Sequence, residues 1–445
     1  MIANTFSTIN HVNSGDVAWI LTATALVLLM TLGIGFYYGG LVQRKNASSI
    51  ILQSLLIMCL IGTIWPILAY SLAFSPSILG GLTGGFDYVM LRDVWEKSTS
   101  SIPGLLDMAF KCTFAMVAAS LVIGGFAERM RLSAFILFVP AWILLVYCPI
   151  AHWLWGNHPG DEGFFALKNA GTLDFAGGMV VHLNAGIAAL VAGLLLGRRP
   201  GFPDHIQSGH NVNFCILGAG LIWFGWIGFN AGSGGAANTV AVYALINTIF
   251  AASTAGLTWI LMDKVLLGRV SGIGLISGVV SGLVAITPAS GFVEPAAALA
   301  IGALASVVSF IAISVLKQIL RVDDSLDVFA VHGVSAIWGA LATGLFATLA
   351  VNPDGGDGVF YGDPSQIVKQ LRGLAYVLVW SGLVTYIILK VIDLIVGIQP
   401  NQKQQALGLD AAQFAMIERP PIHLLQKFRR KSKPQNDDQD RQAPR

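Results

Sequence analysis

The sequence predicts an all-α polytopic membrane protein with eleven transmembrane helices. Three observations carry that expectation. Hydrophobic residues make up 55% of the 445 residues and charged residues only 11%, where a soluble domain carries about 25% charged residues. Mean hydropathy is +0.70. The charge is also unevenly placed: 14 of the 50 Lys, Arg, Asp and Glu fall in the last 45 residues, leaving 36 over the first 400. Eleven apolar stretches are each long enough for the roughly 20 residues that cross a bilayer as a helix. A chain so poor in charge cannot face water on all sides. This excludes a soluble enzyme, a nucleic-acid binder and a disordered chain.

The stretches run 16–41, 48–74, 104–126, 133–155, 174–197, 210–230, 239–263, 271–288, 292–317, 326–350 and 368–397. None alternates apolar and polar residues over about 10 positions, the pattern of a membrane β-barrel, so the spans are helical. Residues 1–400 then form a membrane domain and 401–445 a cytoplasmic tail. Loops after odd-numbered spans hold ten basic residues, among them Arg44, Lys45, Arg129, Arg131, Arg198 and Arg199. Loops after even-numbered spans hold five, and the tail adds nine. Basic loops stay in the cytoplasm. The N-terminus is therefore expected outside and the C-terminus inside, as an odd span count requires. The start of the chain lacks a basic region and cleavage site, so the first span should serve as the insertion signal.

Several features are structural. Gly274, Gly278 and Gly282 form a small-residue stripe that lets helices approach closely. Cys59, Cys112, Cys148 and Cys215 lie in apolar spans without metal-ligand or CxxC spacing and read as buried hydrophobes. There is no GxxxxGK[ST] loop and no HExxH pair. Any transport must then run on a gradient, and no cofactor is expected.

Polar groups at membrane depth default to function. Of eight histidines, six fall at span ends, in loops or in the tail, and only His182 and His332 fall well inside spans. They sit in similar segments, DFAGGMVVHLNAG and DVFAVHGVSAIWG, each read as opening with an aspartate, Asp174 and Asp327. The segments lie five spans apart. GFYYGG in the first span also loosely matches GFNAGSGG at the end of the sixth. A five-plus-five repeat with an odd offset must be inverted in the membrane, which places a substrate path at the repeat interface. The two histidines would meet there. Aromatics cluster toward the outer side: Phe110 and Phe114 share a face of the third span, Trp155 ends the fourth, and Trp226 and Phe229 end the sixth, with Ser233 just beyond. Aromatic faces attract cations. An interfacial belt is the alternative, and for Trp19 and Trp153 it is the favoured one.

The stretches FKCTFAMVAASLVIGGFAERMRLSA, AHWLWG, LDFAGGMVVHLNAGIAALVAG, WIGFNAGSGGAAN and RVDDSLDVFAVHGVSAIWG resemble the ammonium transporter (Amt) family, in family order and over nearly all of 16–400. The resemblance implies eleven helices, a homotrimer and one pore per subunit. It implies an outer ammonium site of Phe110, Phe114, Trp155 and Ser233, with Ser233 accepting a hydrogen bond from the ion. Phe114 and Phe229 would be stacked rings closing the pore below. His182 and His332 would line an apolar pore for ammonia, with or without the proton following. Asp174 would support the outer site indirectly, as a helix cap or otherwise. The resemblance also implies a bacterial plasma-membrane location and a P-II-type nitrogen regulator on the cytoplasmic face.

Two departures stand out. Lys111 lies between the outer aromatics, where an uncharged residue is usual; it is expected to face away and snorkel outward. GLD at 408–410 resembles the family tail motif, but Phe414, Ala415 and Met416 replace its His-Gly-Glu. The distal run KFRRKSKPQNDDQDRQ is expected to be disordered, its basic part free to contact anionic lipid. The competing readings are an ammonium sensor, which needs a signalling domain that a 45-residue tail is too short to form, and a Rhesus-type ammonia or CO2 channel.

Overall fold

The computed structural model of the chain describes residues 12–95, 98–99, 101–156, 164–199, 201–203 and 209–414. Among these, ten helices are long and apolar enough to cross a membrane and an eleventh apolar helix is shorter. In chain order they are α1 (Ser14–Leu41), α2 (Arg44–Phe74), α3 (Gly104–Phe126), α4 (Leu132–Trp155), α5 (Gly178–Leu196), α6 (Val212–Gly232), α7 (Thr239–Leu267), α8 (Gly272–Ile286), α9 (Pro295–Ile319), α10 (Phe329–Phe346) and α11 (Ser365–Val396). Each overlaps one predicted span. Two short helices, α12 (Gln402–Leu407) and α13 (Leu409–Gln413), follow. The strands among the described residues are two-residue pairs in the α2–α3 connection.

Helix starts follow local chemistry. The N-terminus of a helix leaves its first N–H groups without intrahelical partners. The Asn13 side chain accepts from Gly15 and Asp16, Asn211 from Phe214, Asn238 from Ala241 and Ser271 from Gly274. Helix α8 is only 15 residues long, about 22 Å at 1.5 Å per residue. The chain after it, 287–293, is buried and irregular. Such backbone is tolerated at depth only where protein satisfies it. Here Thr287 and Pro288 carbonyls accept from Ala176 and Phe175, while the Asn247 amide donates to Ser290 and Val293. This segment therefore also fixes the approach to α5.

The halves pack through matching elements: α1 lies along α6, and α5 crosses α10. The α5–α10 crossing is antiparallel, because Asp323, just before α10, accepts from the Arg199 backbone just after α5. The axes come close at Gly186, where a Cβ would lie 2.6 Å from Gly333 N. The predicted glycine stripe also packs closely: a Cβ at Gly278 or Gly282 would lie 2.6 Å from Trp259 Cβ or 2.5 Å from Ala251 O of α7.

The face opposite the start of α1 is tied by a buried cation. Arg129 donates to the Gly125 and Gly197 carbonyls and to Ser325, joining the ends of α3 and α5 to the start of α10. Asp323 pairs with Arg199 at 2.7 Å. Burial works to raise the Asp323 carboxyl, but hydrogen bonding and charge from Arg199, with Arg129 behind, hold it below its ordinary value.

Two expectations are corrected. Cys59 is exposed, unlike the other three cysteines, because it sits on an outward face of α2. Trp153 is not part of an interfacial belt: it is buried, stacks on Phe165 at 4.8 Å and donates to Leu82 O.

Candidate functional site

Four helix ends meet at the face where α1 begins and enclose a vestibule of about 550 Å³. Phe110, Phe114, Trp155, Asp174 and Ser233 all line it. Phe110 and Phe114, one turn apart on α3, meet edge to face at 4.9 Å. Trp155, the last residue of α4, stands edge-on to Phe114 at 5.8 Å. Its indole N–H donates to the Asp174 carbonyl at 2.9 Å. The Ser233 hydroxyl donates to Phe229 O at 2.9 Å. Its proton is thereby used, and its oxygen is left to accept.

The vestibule floor is a stacked pair. The Phe114 and Phe229 rings lie 4.1 Å apart at 17° and are both buried. Below them His182 lies 5.8 Å from the Phe229 ring and stacks on Trp226 at 4.9 Å and 9°. Trp226 is held by a 2.8 Å hydrogen bond from its N–H to Thr287. His332 follows, its Nδ1 3.4 Å from Nδ1 of His182. Both histidines are buried, and His182 Nε2 has no partner. A separate cavity of about 10 Å³ adjoins His332 among Ile34, Tyr37, Tyr38, Leu121, Ile222 and Val280, room for about one water. The residues singled out in the sequence thus form one column: Phe110, Phe114, Phe229, His182, His332.

Both histidines sit in π-helical turns, Gly178–Leu183 and Phe329–Val334. Such turns are rare and recur at functional sites. Both turns start under an aspartate. Asp174 accepts from the N–H groups of Met179 and Val180, each at 3.0 Å. Asp324 accepts from Val328, Phe329 and Ala330. Each acid lies eight residues before its histidine. This corrects the repeat register: Asp324, not Asp327, matches Asp174. Asp327 instead pairs with Lys317 at 2.6 Å. In the run VDDSLD three carboxylates compete, and only the repeated Asp-to-His spacing singles out Asp324.

Lys111 is also corrected. It does not face away but lines the vestibule, because Asp107, one turn earlier, holds its ammonium at 2.7 Å. Lys168 lines the same wall. Burial, joined by the charge of Lys111, lowers its pKa against the pull of Asp354. The remaining described histidines are packing groups: His152 bonds Ser77 and Ala73 O, and His210 bonds Val42 O. His11, His158, His205 and His423 lie outside the described residues. Among the described residues no group of His, Cys, Asp and Glu could hold a metal.

A family model described as Ammonium Transporter Family matches residues 18–418. The chain belongs to the ammonium transporter family. It is 41% identical over 399 residues to an ammonium transporter of Bacillus subtilis, covering 89% of this chain and 96% of that one. It is 39% identical over 406 residues to the ammonium transporter Amt1 of Archaeoglobus fulgidus, covering 91% and 99%. Among solved structures it resembles Mep2 of Saccharomyces cerevisiae with a TM-score of 0.83 and 35% identity, covering 89% and 90%. It also resembles a sensor Amt protein with a TM-score of 0.82 and 29% identity, covering 91% and 98%. The chain is a multi-pass membrane protein and an ammonium transporter.

The capping register makes a prediction. Losing a cap costs about 0.5–2 kcal/mol. Asp174→Ala and Asp324→Ala should each lower the melting temperature of the detergent-solubilised protein, and Asp327→Ala should lower it less. Thermal unfolding followed by tryptophan fluorescence decides between the registers. An equal or larger loss for Asp327→Ala contradicts the assignment.

Proposed function

We propose that this transporter recruits ammonium in the vestibule and passes ammonia along the twin-histidine column. The observation that carries this is the Nδ1–Nδ1 contact of His182 and His332, buried beneath the stacked phenylalanines. In the vestibule, the rings of Phe110, Phe114 and Trp155 offer faces to a cation, and Ser233 offers an acceptor oxygen. Among the described residues that line the space at His332 none is an Asp, Glu, Lys or Arg, so a bare cation is costly there. Potassium resembles ammonium in size and charge but cannot shed a proton. Selectivity then comes from deprotonation before or during passage.

In this reading the Nδ1–Nδ1 contact sets the chemistry of the column. Between two neutral imidazoles a single proton fills the Nδ1–Nδ1 contact. The donor ring then keeps Nε2 as an acceptor, and the acceptor ring carries its own proton on Nε2. The pair shows one donor and one acceptor, to which ammonia can bond in sequence. Asp174 has a double role in this scheme, capping the π-turn of His182 with its carboxylate and holding Trp155 with its carbonyl.

The protein is proposed to work as a plasma-membrane homotrimer with the vestibule outside, in contact with membrane lipid. A P-II-type regulator on the opposite face fits a docked proximal tail. Leu409 N donates to Asn46, Asp410 accepts from Ser48 and Ser49, and Lys45 donates to the Gln405 and Ala406 carbonyls. Phe414 ends the described segment, and Ala415, Met416 and the distal charged run lie outside it. A pull-down from full-length protein with ATP, ADP and 2-oxoglutarate varied should retain the regulator. No retention under any condition contradicts this partner.

Replacing both His182 and His332 by alanine should abolish ammonium flux into proteoliposomes or admit potassium; unchanged flux and selectivity contradict the relay. Trp155→Leu removes a cation–π contact of about 1–2 kcal/mol. It should shift half-saturation roughly tenfold without potassium leakage. Leakage in that variant would place selectivity in the vestibule instead.

A further inference from the structure

We propose that Asp107, Phe74 and Tyr70 form a second cation subsite in the vestibule wall, built for a small primary ammonium ion and occupied in this chain by Lys111 as a tethered competitor. The inference rests on the vestibule being the ammonium entrance. The Lys111 ammonium lies 2.7 Å from an Asp107 carboxylate oxygen and 4.2 Å from the centroid of the Phe74 ring. The Tyr70 hydroxyl is 3.4 Å from the same carboxylate oxygen. An ion pair one helical turn apart needs no ring. Here the cation also sits over an aromatic face, and its carboxylate has a phenol as a further partner.

The subsite walls are fixed. Phe74 is buried and packs 5.3 Å from Tyr70 and 6.4 Å from Trp65. The Trp65 indole donates to Met108 O at 3.1 Å, which ties the ring wall to the turn of α3 that carries Asp107. The side chains of Asp107 and Lys111 are 13% and 26% exposed, so the pair is neither sealed nor freely solvated. Both open into the vestibule lined by Phe110, Phe114, Trp155 and Ser233.

A carboxylate and a ring face around an ammonium group supply charge, a cation–π contact and hydrogen-bond acceptance together. The seated ligand is itself a primary alkylammonium, so the geometry is that of a bound substrate analogue. Lys111 then weakens recruitment twice: it fills Asp107 and Phe74, and it adds positive charge to a wall that already carries Lys168. Removing Lys111 opens the subsite to free ions.

The test is concentration-dependent uptake of radiolabelled methylammonium by the full-length protein in proteoliposomes. Lys111→Met and Lys111→Gln should lower the half-saturating concentration by about fivefold or more, the size of one partly desolvated cation–π contact. Adding Phe74→Leu or Asp107→Asn to Lys111→Met should return it toward the wild-type value. Phe74→Leu leaves charge untouched, so it separates a subsite from simple relief of repulsion. The proposal is overturned if neither Lys111 variant lowers half-saturation, or if the gain survives Phe74→Leu. Trp155→Leu distinguishes the two levels of failure. A shift in that variant with none in the Lys111 variants sinks the subsite alone, and no shift in any of them sinks the entrance reading as well.

Discussion

Two imidazoles buried next to each other without a carboxylate between them are the constraint on which the centre of this protein depends. Bringing His182 and His332 within a hydrogen bond requires α5 and α10 to cross at near backbone contact, which the pair Gly186 and Gly333 permits. It also requires each histidine to point inward from its own helix. A π-turn supplies that redirection in both helices. Each π-turn widens the helix at its start and leaves N–H groups to satisfy. Asp174 and Asp324 satisfy them from matching positions. The repeat is therefore a repeat of a constraint: acid, wide turn, histidine, small residues.

The surroundings follow from keeping that pair dry and oriented. Trp226 lies flat on His182 and is fixed in turn by Thr287, in the irregular stretch after α8. The same stretch accepts backbone hydrogen bonds from the approach to α5. The shortness of α8 thus has a purpose within the fold: a longer helix would leave no such backbone at this depth. Above, the Phe114–Phe229 stack separates the histidines from a vestibule that is polar and charged. In the proposed pathway the ion is held in the vestibule, and the proton is shed before or during passage along the apolar column.

Much of this was legible in the sequence because membranes make polar residues conspicuous. His182 and His332 stand out as the histidines placed away from span ends, and the aromatic positions follow from span direction. Less legible were features set by competition between neighbours. Three carboxylates in VDDSLD are equivalent on paper, and only the folded chain shows that Asp323 takes the arginines, Asp324 the helix N-terminus and Asp327 Lys317. An isolated cation at Lys111 would snorkel away; Asp107 one turn earlier removes the need. Trp153 sits at a span end, where a belt residue is expected, yet Leu82 O and Phe165 reach it through the folded connections. The π-turns leave no mark in hydrophobic periodicity.

In the proposed pathway, binding in the vestibule leads to selective passage through a neutral, apolar column. The most direct test is flux of ammonium and potassium through the wild-type protein in proteoliposomes, each under an equal inward gradient. Saturable ammonium flux with no potassium flux above that of empty liposomes is expected. Ammonium binding without flux, as a pure sensor would give, or comparable flux of the two ions, would contradict it.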